Sequence, residues 1–415
     1  MVSPDFHEPI EKDFHFFYHN IPSHYNSEGF RKEQYVIGID AGLERAADLG
    51  GNVSGIKSFL LKFSILTSML LGLPLIGVFL AGNPISRYLD FPPKTQYVLH
   101  APFSWIAFSA FALCILAVLV PFIVKALRVE PNHGDVISSH KAFPWWGWLG
   151  VLTGVIFWIA AWSRFPWFAE LQPFTFTPLW LSFILVINAT SYCQSGRCLM
   201  TERPGFFLLL FPVSAVFWWF FEYLNRFVQN WYYSIPDFSS QEYFWYATLP
   251  FSTVLPAVLS MRQWLFSTRW VHKRYGNFSA FTLLHPGLIA TGVLVISAIG
   301  LSGIGVWPNY LFPLLWVSPL LIILCLQTLL GERTIIDEMR AGDWRIAVSS
   351  ALAALICGVF WEMWNYFSLA KWEYSIPFVH RFQIFEMPIL GYAGYLPFGL
   401  ECTVVGGMLE RMLKK

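Results

Sequence analysis

Four carboxylates interrupt long apolar runs in this chain: Glu222, Glu362, Glu386 and Glu401. An ionisable side chain inside a spanning segment costs roughly 2.5–3.5 kcal/mol on insertion scales, so each is a candidate for chemistry. Asn225 follows Glu222 by three residues, and Asn365 follows Glu362 in the same way; that spacing puts each pair on one helix face. The amide can hydrogen-bond the carboxyl and orient it. Alternatively, Glu and Asn tie the helix end to the next loop by satisfying its backbone groups. A carboxyl kept from water among aromatic rings can serve as a proton donor, and ring faces stabilise a cation by about 0.5–2 kcal/mol each. That combination suits chemistry through carbocations on a long unsaturated lipid. Trp361, Trp364, Tyr366, Trp372, Tyr374 and Phe385 are expected around the acids, with His380 and Arg381 where an anionic headgroup would arrive. The competing reading of the rings is interfacial, because Trp and Tyr gather at membrane surfaces.

Two segments frame these residues. "NWYYSIP" at 230–236 returns as "KWEYSIP" at 371–377. The repeat extends upstream, where "VFWWFFEYLNRF" (216–227) matches "VFWEMWNYF" (359–367) with Glu222 on Glu362 and Asn225 on Asn365. "PLWLS" (178–182) matches "LLWVS" (314–318), and Leu255-Pro256 matches Leu396-Pro397. On this alignment Glu386 falls opposite Trp245, and Glu401 opposite Ser260. The second copy therefore keeps three carboxyls, Glu362 with Glu386 as neighbours and Glu401 deeper. A single site belongs to that copy on this reading, with Glu222, Asn225, Trp231 and Tyr233 as structural counterparts.

Composition says what holds them. Hydrophobic residues make up 56% of the 415 positions and charged ones 13%, about half the share usual in soluble domains. The mean hydropathy is +0.51. The expected fold class is an all-α polytopic transmembrane helical bundle. About ten spans are expected, near 56–81, 97–126, 144–163, 174–193, 205–224, 243–264, 283–305, 310–331, 346–367 and 383–411. Pro250 and Pro256 should break the sixth, and Pro388, Gly391, Gly394 and Pro397 the last; such breaks survive only where protein or water satisfies the freed backbone. Residues 1–55 read as a cytoplasmic or interfacial segment and 56–140 as a two-helix addition. Residues 141–280 and 281–415 read as two four-helix repeats. An even helix number gives both copies one orientation, a parallel repeat about an axis along the membrane normal.

Of the 27 Lys and Arg, the odd loops hold only Arg87, Lys94, Arg164, Arg226, Lys371 and Arg381. The rest lie in the tails and even loops, which places both termini in the cytoplasm of a bacterial-type inner membrane. Net charge is +1, which gives no sign of a nucleic-acid partner. His7, His15, His19 and His24 match no ligand spacing. Of the six Cys, only Cys193 and Cys198 flank a short loop, and no zinc or disulfide pattern emerges. Gly-rich phosphate loops and hydrolase motifs are absent as well, so neither metal nor cofactor is expected.

The order of a Glu-Asn aromatic helix, a W-x-Y-x-x-P loop and a Pro-broken helix ending in a carboxylate resembles the membrane carotenoid (lycopene) cyclase-domain superfamily. The matching residues are Trp372, Tyr374, Pro377, Pro397 and Glu401; the first copy keeps Trp231, Tyr233, Pro236 and Pro256 without the acid. The match covers about 55 residues per half. The family's loop is followed by P-x-E-E, whereas this chain has P-x-x-x-E with one acid. The resemblance implies redox-neutral cyclisation of an isoprenoid end by proton transfer. The chain is similar, too, to uncharacterised bacterial membrane proteins with W-E-x-W-N helices. Three readings stand at this level: a membrane protein that binds or modifies an isoprenoid or other lipid, a proton-coupled transporter or channel, and a non-catalytic subunit of a membrane complex. A homo-oligomer is compatible with each.

Overall fold

The computed structural model describes residues 61–92, 95–128, 141–234 and 238–413. The N-terminal segment 1–55 with its four His, and Pro236 of the first loop, lie outside these. Residues from Leu61 onward form one compact unit. It is mainly helical: α1 Leu61–Leu80, α2 Trp105–Arg128, α3 Trp145–Trp162, α4 Phe176–Ser195, α5 Pro204–Val228, α6 Ser240–Phe251, α7 Val254–Phe266, α8 Pro286–Gly303, α9 Leu314–Leu329, α10 Arg345–Tyr366 and α11 Tyr395–Leu413. Among the described residues, eight stretches are long and apolar enough to cross a membrane. They are α1, α2, α3, Gln172–Ser195, α5, the broken pair Ser240–Phe266, α8 and α10. α9 is apolar but shorter.

The last expected span is corrected. Only Tyr395–Leu413 is α-helical. Residues before it form a hairpin, β3 Gln383–Ile384 with β4 Met387–Pro388, and then a 3-10 turn, Ile389–Gly394. Pro388 has no amide to give a helix, and the Met387 side chain lies against Gly391 where any Cβ would meet its sulfur. The broken helix is as expected. Between α6 and α7, Ser214 of α5 donates to the Phe251 carbonyl at 2.6 Å and accepts from the Leu255 amide at 3.0 Å. A buried hydroxyl thus takes over backbone groups that the proline-containing break releases.

Two short strands face each other at the ends of α5 and α10: β1 Trp231–Ser234 and β2 Lys371–Tyr374. They pair antiparallel, with Trp231 opposite Tyr374, Tyr232 opposite Glu373, Tyr233 opposite Trp372 and Ser234 opposite Lys371. Side chains alternate across a strand, so Trp231, Tyr233, Trp372 and Tyr374 share one face as a checkerboard of indoles and phenols. Tyr232 and Glu373 take the other. The core beneath is aromatic: Trp180, Phe221 and Phe398 are fully buried. α10 and α11 approach closely because Gly399 rests on the Ser350 carbonyl, where a Cβ would sit 2.0 Å from its oxygen. Ser350 and Thr403 join the same two helices by a 2.7 Å hydroxyl hydrogen bond.

Candidate functional site

The aromatic face of the ribbon forms one wall of a cavity of about 390 Å³, within the 300–1,000 Å³ range usual for ligand sites. Other walls come from Trp218 of α5, Tyr243 of α6, Trp316 of α9, Trp361 of α10 and Tyr395 of α11. α2 has no buried residue of its own, yet Phe111 and Ile115 close one side. No Lys, Arg, His, Asp or Glu is among the described residues that line the space. Rings stack around it: Trp316 on Phe221 at 5.1 Å and on Trp231 at 5.6 Å, and Tyr395 on Trp361 at 5.9 Å. Residues from 141–280 and from 281–415 both line it, so the cavity does not belong to the C-terminal segment alone.

The carboxyls stand behind this lining. Glu222 and Glu362 are fully buried. Glu222 Oε1 accepts from the Tyr233 hydroxyl at 2.5 Å and from the Trp231 and Trp218 indoles, each at 3.1 Å. Glu362 Oε1 meets the hydroxyls of Tyr374 at 2.7 Å and Tyr395 at 2.9 Å. In both residues Oε2 has no hydrogen-bond partner among the described residues. The Asn residues do different work from the carboxyl-orienting role the spacing allowed. Asn225 Nδ2 donates to the Trp231 carbonyl at 2.8 Å, and its Oδ1 accepts from the Asn230 amide at 2.8 Å and the Trp231 amide at 3.4 Å. Asn365 Nδ2 donates to the Trp372 carbonyl at 2.7 Å, and its Oδ1 accepts from the Trp372 amide at 2.9 Å. Each Asn fastens its strand to the helix that carries the acid; it bonds backbone, not carboxylate.

The other expected residues divide. Trp361, Trp372 and Tyr374 line the cavity. Trp364 turns away from it, edge-on to Trp180 at 5.2 Å. Glu386 occupies the two-residue turn of the β3–β4 hairpin, not a helix. Its Oε1 accepts from Lys371 Nζ at 2.6 Å, so it is a cation's partner and not a second free acid beside Glu362. His380 contacts Gln383 at 3.0 Å, and burial lowers its pKa from the ordinary histidine value. The Arg381 guanidinium lies over Phe103 at 4.9 Å and Trp105 at 5.8 Å. Neither His380 nor Arg381 lines the cavity. Glu401 is buried on α11 with Oε2 unpartnered, one turn beyond the cavity-lining Pro397.

On the outer face of the ribbon, Glu373 accepts from Tyr232 at 2.8 Å and Ser234 at 2.8 Å. Burial raises the Glu373 pKa, but these hydrogen bonds and the Lys371 charge outweigh it and hold the carboxyl below its ordinary range. Burial and the bond to Glu373 push Tyr232 up to about 12.

Tyr395 carries one mark in the sequence: it is the tyrosine at the point where the Pro- and Gly-broken stretch becomes helix. Nothing in the spacing of Tyr243 or Trp316 marks a cavity wall. Among the described residues no group of three His, Cys, Asp or Glu comes together as a metal set. Comparison with family models, curated proteins and solved structures gives no match to this chain.

Proposed function

We propose that this chain is an integral membrane protein that binds an isoprenoid or comparable apolar lipid in the aromatic cavity, with acid–base chemistry supplied by the carboxyls behind its phenols. The observation that carries the reading is the pairing of an uncharged, ring-lined space with hydroxyls, Tyr233, Tyr374 and Tyr395, that each bond a buried carboxyl. Apolar walls recognise hydrocarbon by burial, worth about 25 cal/mol per Å² of apolar surface. Ring faces tolerate a positive charge that develops on the ligand. A proton moving between Glu362 and the cavity passes through a tyrosine, since the carboxyl itself does not line the space.

The architecture we propose has about ten spans, with α9 and α11 completing the eight, and both termini cytoplasmic. It contains a parallel four-helix repeat. The matched Glu, Asn, Trp and Tyr contacts and the symmetric register of β1 with β2 support the repeat. If the ligand is also transformed, the reaction is redox-neutral protonation and cyclisation, as the resemblance to the cyclase-domain superfamily implies. Trp372, Tyr374 and Pro397 of that resemblance line the cavity, and Glu401 does not.

The test is mass spectrometry of two lipid extracts: protein purified in mild detergent, and cells with and without the gene. Co-purification of an isoprenoid lipid is expected. A transformed ligand would also change the cellular profile. Protein that carries only bulk phospholipid, from cells with an unchanged profile, would sink the reading and favour a structural subunit.

A further inference from the structure

The two carboxyls behind the cavity sit on matching helices, but their partners differ in kind. Glu222 Oε1 takes two indole N–H groups and one phenol. Glu362 Oε1 takes two phenols, and the one indole beside it, that of Trp372, gives its N–H to the Tyr374 oxygen. An indole N–H can only donate, whereas a phenol oxygen both donates and accepts. Trp218 and Trp231 therefore hold Glu222 Oε1 as an acceptor. Of the two phenols on Glu362, Tyr374 already accepts from the Trp372 indole at 2.8 Å, which directs its own proton toward the carboxyl. Tyr395 is under no such constraint from an indole, and it lines the cavity.

Trp231 keeps a matching indole in Trp372, so the partner that is exchanged traces to one position. Trp218 stands four residues before Glu222, and Gly358 stands four residues before Glu362. Both therefore lie one turn from the acid on the same helix face. A Cβ on Gly358 would fall 2.4 Å from Cδ2 and Cε2 of Tyr395 and 2.7 Å from its Cζ. The missing side chain leaves room for a ring from another helix. In the first copy the helix supplies its own indole; in the second it admits a phenol from α11.

We propose that Glu362 and Tyr395 form the proton-exchanging station of the cavity, with Glu222 as a fixed acceptor and Gly358 as the residue that positions the phenol. This rests on the acid–base reading of the cavity given above. The step balances without redox chemistry. Glu362 Oε1 gives its proton to the Tyr395 oxygen while Tyr395 gives its own to a double bond or oxygen of the ligand. The carboxylate is left behind, and the ligand gains one proton and one positive charge. The reverse transfer returns both groups to their starting state.

Infrared difference spectroscopy of the full chain in lipid nanodiscs, in H₂O and D₂O, reads the carboxyl bands with no ligand added. A carboxyl band that titrates and exchanges its hydrogen should vanish in Glu362→Gln and persist in Glu222→Gln. Tyr395→Phe keeps the ring and removes the hydroxyl, and should slow exchange by roughly ten-fold or more, a modest share of what proton relays contribute. Gly358→Ala should reproduce that slowing, and the double variant should be no slower than Tyr395→Phe alone. Loss of the band in Glu222→Gln, or unaltered exchange in Tyr395→Phe, would overturn the proposal. The Phe variant decides the matter if Gly358→Ala does not fold. No isoprenoid is added in this measurement, so a protein empty of isoprenoid would refute the lipid reading while leaving the infrared result to stand or fall separately.

Discussion

Removing the amide of Asn225 should cost more stability than any other single truncation at the ribbon. The side chain is fully buried and makes three hydrogen bonds, to the Trp231 carbonyl and to the amides of Asn230 and Trp231. Asn225→Ala leaves two well-formed partners unsatisfied, the Trp231 carbonyl and the Asn230 amide. Each orphaned buried group costs about 1–3 kcal/mol, so the expected loss is about 2–6 kcal/mol. Asn365→Ala removes two bonds at the less buried Trp372, and its loss should lie at or below the lower end of that range. The two strands pair with each other, so once one is released the other has less to hold. A double-mutant cycle should therefore be non-additive by at least about 0.5 kcal/mol. Reversible unfolding in mixed micelles, followed by tryptophan fluorescence, measures all four corners. Losses below about 1 kcal/mol for Asn225→Ala, or strict additivity, would show that the Asn residues do not anchor a shared ribbon.

Further outcomes follow from the same contacts. Ser214→Ala strips the donor to the Phe251 carbonyl and the acceptor for the Leu255 amide, and should cost about 2–4 kcal/mol in the same unfolding assay. Gly399→Ala forces a Cβ against the Ser350 carbonyl and should destabilise by about 1–3 kcal/mol, the usual penalty for overpacking; a silent change would mean that α10 and α11 can separate freely. Because Glu373 is held below its ordinary range, its contribution is complete above the unfolded glutamate pKa and is lost as pH falls through the lower folded value. Melting temperatures recorded down an acid series should decline in the parent chain and decline less in Glu373→Gln.

The parts legible in the sequence were those with a period or a duplicate. Apolar runs of spanning length stood out against the few charges, and the breaker residues Pro250 and Pro256 marked the division between α6 and α7. The Glu and Asn pairs were found because two copies keep the same three-residue spacing. What escaped had neither signal. The β3 and β4 strands are two residues each, too short for alternation to register, and Pro388 of β4 with Gly391 and Gly394 of the 3-10 turn has the pattern of breaks in a helix. The place of Glu386 is hidden with them, since its ion pair with Lys371 depends on the hairpin bringing residues 15 apart in sequence together. The cavity is lined by residues from Phe111 to Pro397, and no local window contains it. Gly358 left a trace: it stands at the matched position of Trp218, and a glycine for a tryptophan in otherwise like helices asks what fills the space.

The pairing of β1 with β2 carries a consequence for how such a chain arises. In its register each Trp faces the Tyr of the opposite copy, and the middle residues, Tyr232 and Glu373, face each other. That is the arrangement two identical subunits adopt around a closed two-fold axis. On the duplication we propose, a half-length ancestor would present an unpaired strand edge that another subunit of the same kind completes. On that proposal, fusion into one chain would release the two halves from having to be identical, so that position 358 can hold glycine where position 218 holds tryptophan.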